Sequence, residues 1–150
     1  MGCCSLFVIQ RIESFDPHER TDLDYTSEAG WYEKEGCEVG SLRWLRHVSL
    51  SDVDGVKLAL LEQEKADRGE RAWAFADPVR VAQESLRPYF ENQTPVLTKV
   101  RKIPGRQVFR WRAGNKVVIV VVARPYWLSF YAKSDSVAWV STMVKEGECQ

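Results

Sequence analysis

At 150 residues, 45% hydrophobic and 28% charged, the chain can bury an ordinary core without disulfides or metals, and its composition fits neither disorder nor a membrane protein. The formal net charge of zero would argue against a nucleic-acid binder, but the charge is unevenly spread. Residues 1–91 carry 18 acids and 11 bases, residues 92–134 carry nine bases and no acid, and residues 135–150 carry three acids and one base.

From the N-terminus, "MGCCS" has the outline of a dual-acylation signal, yet Leu6 stands where the myristoylation pattern asks for Ser or Thr. The reading preferred here is a first β-strand, "SLFVIQRI" (5–12). That apolar run is short and lacks a basic flank, so no secretory leader is expected. "FDPHERTD" then starts a helical turn with Asp16 as cap and Pro17 at the first position. The stretch 13–40 holds nine acids against Arg20 and Lys34, and reads as short helices and loop. "SLRWLRHV" (41–48) fits a strand or a helix extension equally.

A helix is predicted over 52–68, capped by Ser51 or Asp52 and stopped at Gly69. "RAWAF" (71–75) alternates as a short strand would. "ADPVRVAQESLRPYF" predicts a helix over 78–90, with an Asp77 cap and Pro78 at its first position. Then come four strand-like runs, "VLTKVRKI", "RQVFRWRA", "KVVIVVVA" and "YWLSFYA". Pro104-Gly105, Gly114-Asn115 and Arg124-Pro125 separate them, and such short connections make an antiparallel meander. "SDSVAWVSTMVKEG" predicts a terminal helix over 135–146. The fold class is therefore α+β: an antiparallel β-meander over about 96–132 plus an N-terminal strand, with helices packed on one face. Residues 1–150 read as a single globular domain.

Gly114-Asn115 suits a two-residue type II′ turn, which needs positive φ at its first position. Ala113 then pairs with Lys116, and the register runs outward to Val108 opposite Val121. Alternation puts Phe109, Trp111, Val118, Val120 and Val122 on one face, which is core. The other face carries Val108, Arg110, Arg112, Val117, Ile119 and Val121, half apolar and half arginine. A helix packed over Ile119 and Val121, with arginine stems along its edge, is one account of it. Internal partners from 13–40 are another, and a surface built to hold a partner is the third.

Chemical motifs are weak. The chain has two histidines, His18 and His47, and pairing Cys37 with His47 as nucleophile and base has no supporting oxyanion loop. No phosphate loop, G-x-S-x-G or H-E-x-x-H occurs. Asp22, Asp24, Thr26 and Glu33 match a calcium loop poorly, since Ser27 occupies the position that wants glycine. No catalytic residue, metal ligand or cofactor site is assigned. Cys3, Cys4, Cys37 and Cys149 show no disulfide framework, so a reducing, cytoplasmic setting is expected.

The functional expectation is a small non-catalytic protein-binding module of inhibitor, immunity or adaptor type. Its contact residues would be Arg101, Arg110, Arg112 and Ile119 on the basic face, with Asp22, Asp24 and Glu28 as a second, acidic surface. One alternative is a nucleic-acid-binding domain using the basic region 99–116, helped by aromatics such as Phe109, Trp111, Tyr126, Trp127 and Tyr131. The other is a small enzyme with a carboxylate or Cys37 site.

Overall fold

The computed structural model describes residues 43–149. They form five strands, two α-helices and two 3₁₀ helices. These are β1 (Arg43–His47), α1 (Val53–Asp67), a 3₁₀ helix at Ala72–Phe75, α2 (Pro78–Leu86), β2 (Thr98–Ile103), β3 (Arg106–Ala113), β4 (Lys116–Ala123), a 3₁₀ helix at Tyr126–Phe130, and β5 (Val140–Glu148). The strands make one antiparallel sheet in the order β1-β5-β4-β3-β2. This is the expected α+β architecture. β1 supplies a strand ahead of the helices, whereas the strand expected at 5–12 lies outside the described residues.

The β3–β4 hairpin follows the register its turn dictates. Ala113 pairs with Lys116, Arg110 with Ile119, and Val108 with Val121. Gly114 has φ +63°, as the first position of a type II′ turn requires. At Pro104-Gly105, proline precedes a glycine of φ +74°, which is the chemistry of a type II turn.

The helices begin where their caps predict. The Asp52 carboxylate accepts the Gly55 N–H at 2.9 Å, and the Asp77 carboxylate accepts the Arg80 N–H at 3.0 Å. α2 lays Val81, Ala82 and Leu86 on one sheet face, against Phe109, Trp111, Val118, Val120, Val122 and Val144. Phe90, one turn beyond α2, meets Trp111 edge-on with ring centroids 5.0 Å apart. α1 contributes Ala59, which packs with Leu128 of the second 3₁₀ helix and Val140 of β5.

Three local expectations are corrected. The predicted terminal helix is instead β5, paired on both sides by β4 and β1. Nearly all of it is buried, because a central strand is covered on both faces and so loses the alternation that marks a strand. "RAWAF" is a 3₁₀ turn, in which the Ala74 carbonyl accepts the Trp139 N–H at 2.9 Å. "YWLSF" is the other 3₁₀ helix, entered from Pro125 and anchored by fully buried Leu128.

Gln63 ties α1 to the segment leading into β5. Its Oε1 accepts the Ala138 N–H at 2.8 Å, and its Nε2 donates to the Ser136 carbonyl at 3.0 Å and to Asp67 Oδ1 at 3.2 Å. Asp67 also accepts the Ser134 hydroxyl at 2.8 Å and the Lys133 N–H at 3.0 Å. Burial pushes the Asp67 carboxyl up. The hydrogen bonds from Lys133, Ser134 and Gln63 outweigh it and hold the group below its ordinary value of 3.8.

Two predictions follow from these contacts. Asp67 contributes stability that is complete above pH 3.8 and is lost as pH falls through the lower folded value. Asp67→Asn should flatten that acid limb in a urea-denaturation series. At Gly55 a Cβ would collide with the Ser49 backbone carbonyl, so Gly55→Ala should cost about 1–3 kcal/mol by the same assay, despite alanine's better helix propensity.

Candidate functional site: the second face of the sheet

Pairing fixes what lies on the sheet face opposite α2. One ladder crosses all five strands as Trp44–Lys145–Ile119–Arg110–Thr98. The next runs His47–Met143–Val121–Val108–Arg101. Arg112 opposite Val117 and Arg106 opposite Ala123 complete the face toward its two ends. Among the described strand residues, this face thus carries Arg101, Arg106, Arg110, Arg112 and Lys145 and no carboxylate.

The apolar centre is Val108, Val117, Ile119, Val121 and Met143, with Cys149 beside them and Val100 packed at the margin. No residue of α1 or α2 belongs to this cluster. Even so, Ile119 is only 1% exposed. Burying such side chains is worth about 1.5–3 kcal/mol each, against a whole-domain stability of about 5–15 kcal/mol. A sheet with five of them on one face has a strong energetic reason to keep that face covered.

The cations sit at the margins of this centre. Arg112 and Arg106 are exposed, while Arg101 and Arg110 are half-buried. Lys145 is buried, with its ammonium 4.1 Å from the centroid of the Trp44 ring, a cation–π contact that offsets part of its desolvation. His47 stacks on the other side chain of that corner, 4.4 Å from Trp44 between ring centroids. Arg101, Arg110, Arg112 and Lys145 each take part in an interaction and are engaged cations. The helix face, by contrast, holds buried Glu146 between Arg43 at 2.6 Å and Lys116 at 3.6 Å.

The structure thus brings Arg101, Arg110 and Arg112 around Ile119, but Ile119 itself is floor rather than surface. Asp22, Asp24 and Glu28 lie outside the described residues, as does Cys37. Phe109 and Trp111 are core at 1% and 9% exposure, unable to stack on an external base. Among the described residues no three His, Cys, Asp or Glu side chains gather as a metal site would need. No helix among them is long and apolar enough to cross a membrane.

Reading 126–132 as a strand hid another surface. The second 3₁₀ helix exposes Phe130 at 78% and leaves Tyr126 and the following Tyr131 largely open, while Trp127 meets Tyr131 edge-on at 6.4 Å. The Arg124 N–H donates to the Gly105 carbonyl at 2.8 Å, so the β2–β3 turn abuts the start of this knuckle. Pro125 was the available signal, since it fixes φ and interrupts strand pairing.

Cys149 is disulfide-bonded, although the cysteine spacing shows no framework. Compared with protein-family models, with curated proteins and with solved structures, the chain matches none.

Because Ile119 is buried, Ile119→Ala should lower stability by about 2–5 kcal/mol in urea denaturation. A surface contact residue would leave stability nearly unchanged and alter only binding.

Proposed function

We propose that this protein is a small protein-binding module without catalysis of its own, of inhibitor, immunity or adaptor type, whose partner is an acidic protein. The observation that carries the reading is an aromatic knuckle standing beside a basic sheet end. Phe130 and Tyr131 project from a short 3₁₀ helix held down by buried Leu128, with exposed Arg106 and Lys133 nearby in the chain and the sheet. Aromatic and arginine side chains supply most hot-spot energy at interfaces. Arg101, Arg110 and Arg112 would add long-range attraction that speeds and orients encounter. In this reading Ile119 supports the arginines from below, and Asp22, Asp24 and Glu28 form the second, acidic surface.

Nucleic acid is the rival partner, favoured by nine bases without an acid over 92–134. The burial of Phe109 and Trp111 removes two of its stacking residues. A cytosolic setting was expected from cysteine spacing, but disulfides are rare there, and the half-cystine at Cys149 weighs against it.

The test is a pull-down with tagged full-length protein, with and without nuclease, alongside Phe130→Ala/Tyr131→Ala and Arg110→Glu/Arg112→Glu variants. The proposal expects a stoichiometric protein that survives nuclease, is lost with the aromatic pair and is weakened by the arginine pair. Nuclease-sensitive absorbance at 260 nm with no protein partner would sink it in favour of nucleic acid.

A further inference from the structure

We propose that the α2 side of the sheet binds one buried water molecule, which bridges Gln107 on β3 and Ser141 on β5 across the side chain of Val122. Both residues are polar and only 6% exposed. Among the described residues, neither Gln107 Oε1 nor Ser141 Oγ has a hydrogen-bond partner. Turning the amide over would set Nε2 in the same place, equally in need of one. Nearly all buried polar groups of folded proteins are satisfied by protein or by ordered water, and two such atoms on one row point to a shared water.

Pairing makes that row. Gln107 stands opposite Val122, and Val122 opposite Ser141. Val122 belongs to the core cluster beneath α2, so the row lies on that side. Two strand spacings of about 4.8 Å separate Gln107 from Ser141. One water over the short valine joins an amide and a hydroxyl that do not meet directly. A backbone irregularity brings Ser141 there. Val120 pairs with Val144 and Val121 with Met143, a register that would continue with Thr142 opposite Val122 and Ser141 opposite Ala123. The register shifts instead, and Ser141 takes the place opposite Val122. Bulges of this kind re-aim a side chain, and here the hydroxyl moves onto the row of Gln107. At the shift the Thr142 hydroxyl donates to the Val121 carbonyl at 3.3 Å.

A third polar group reaches the same corner. Arg46 stands opposite Val144, another member of the cluster beneath α2, and its Nε–H donates to the Ser141 carbonyl at 3.2 Å. A buried water makes about three hydrogen bonds and both donates and accepts, as an amide oxygen, a hydroxyl and a guanidinium together ask. A metal cation would find no carboxylate on this row and an arginine beside it. The site stands apart from the protein-binding reading, which engages the aromatic knuckle and whose failure would leave the water in place.

A crystal structure of the full-length protein should show a solvent peak within hydrogen-bond reach of both the Gln107 amide and Ser141 Oγ. A double-mutant cycle in urea denaturation reads the same bridge energetically. Ser141→Ala and Gln107→Met each strand the other residue's polar atom, so each should raise the unfolding equilibrium constant roughly fivefold or more. The double variant strands neither and should raise it by less than the product of the two. If a variant fails to fold, the wild-type density decides alone. Three results would overturn the proposal. They are no solvent peak shared by the two groups, a protein group in the place of the water, and single effects that multiply in the double variant.

Discussion

The structure depends on a strand that water must not reach from either side. β4 is Lys116–Ala123, and every residue after Lys116 is buried. Its alternate side chains, Val118, Val120 and Val122 on one face and Val117, Ile119 and Val121 on the other, are equally apolar. An antiparallel sheet commonly keeps one solvated face, and then its strands alternate polar with apolar. β4 does not: it is apolar and buried on both faces. α2 and the aromatic side chains around it make one outer layer. On the second face the apolar centre lies among charges, those of Arg101, Arg106, Arg110, Arg112 and Lys145.

Those charges are compatible with burial because of the side chains that carry them. An arginine can lay its stem along Val and Ile while its guanidinium stays at the edge. Arg110 and Arg112 stand opposite Ile119 and Val117 on the paired strand, Arg110 half-buried and Arg112 exposed with its Nε–H donating to the Gly114 carbonyl at 3.3 Å. Lys145 goes further in and compensates with the face of Trp44. On the helix side, Glu146 goes equally deep and compensates with two cations instead. Adjacent residues of β5 thus place opposite charges on opposite faces. The sheet separates charge through its thickness as well as along the sequence.

How far this was legible in the sequence depended on local specification. Gly114-Asn115 admits one turn type, so the whole β3–β4 register and both face assignments could be read from it. Asp52 and Asp77 with Pro78 likewise fixed the helix starts. β5 was not legible: "SVAWVSTMV" has no period because both of its faces are covered, while Ser134, Asp135 and Gly147 imitate helix ends. Only its two neighbours, remote in sequence, make it a strand. For the candidate site, the arginine positions around Ile119 were legible, but the depth of Ile119 was not. Alternation gives the face on which a side chain lies, and depth belongs to whatever packs there.

Part of the basic block has a use that needs no partner. Among the described strands β1 and β2 are the two outermost, and a sheet edge exposes unpaired N–H and C=O groups to any passing strand. Both edges combine the same two protections. β1 carries Arg43 and Arg46 with a register shift between Trp44 and Arg46, and β2 carries Lys99, Arg101 and Lys102 with a shift between Lys99 and Arg101. Charges and bulges at these positions discourage another strand from adding to the sheet. The nine bases of 92–134 therefore divide by position. Lys99, Arg101 and Lys102 guard an edge, and Lys116 neutralises Glu146. The arginines of β3, which sits one strand inside that edge, have no such duty. Their recurrence at 106, 110 and 112 sets three guanidinium groups on one face of the sheet, which edge protection does not require.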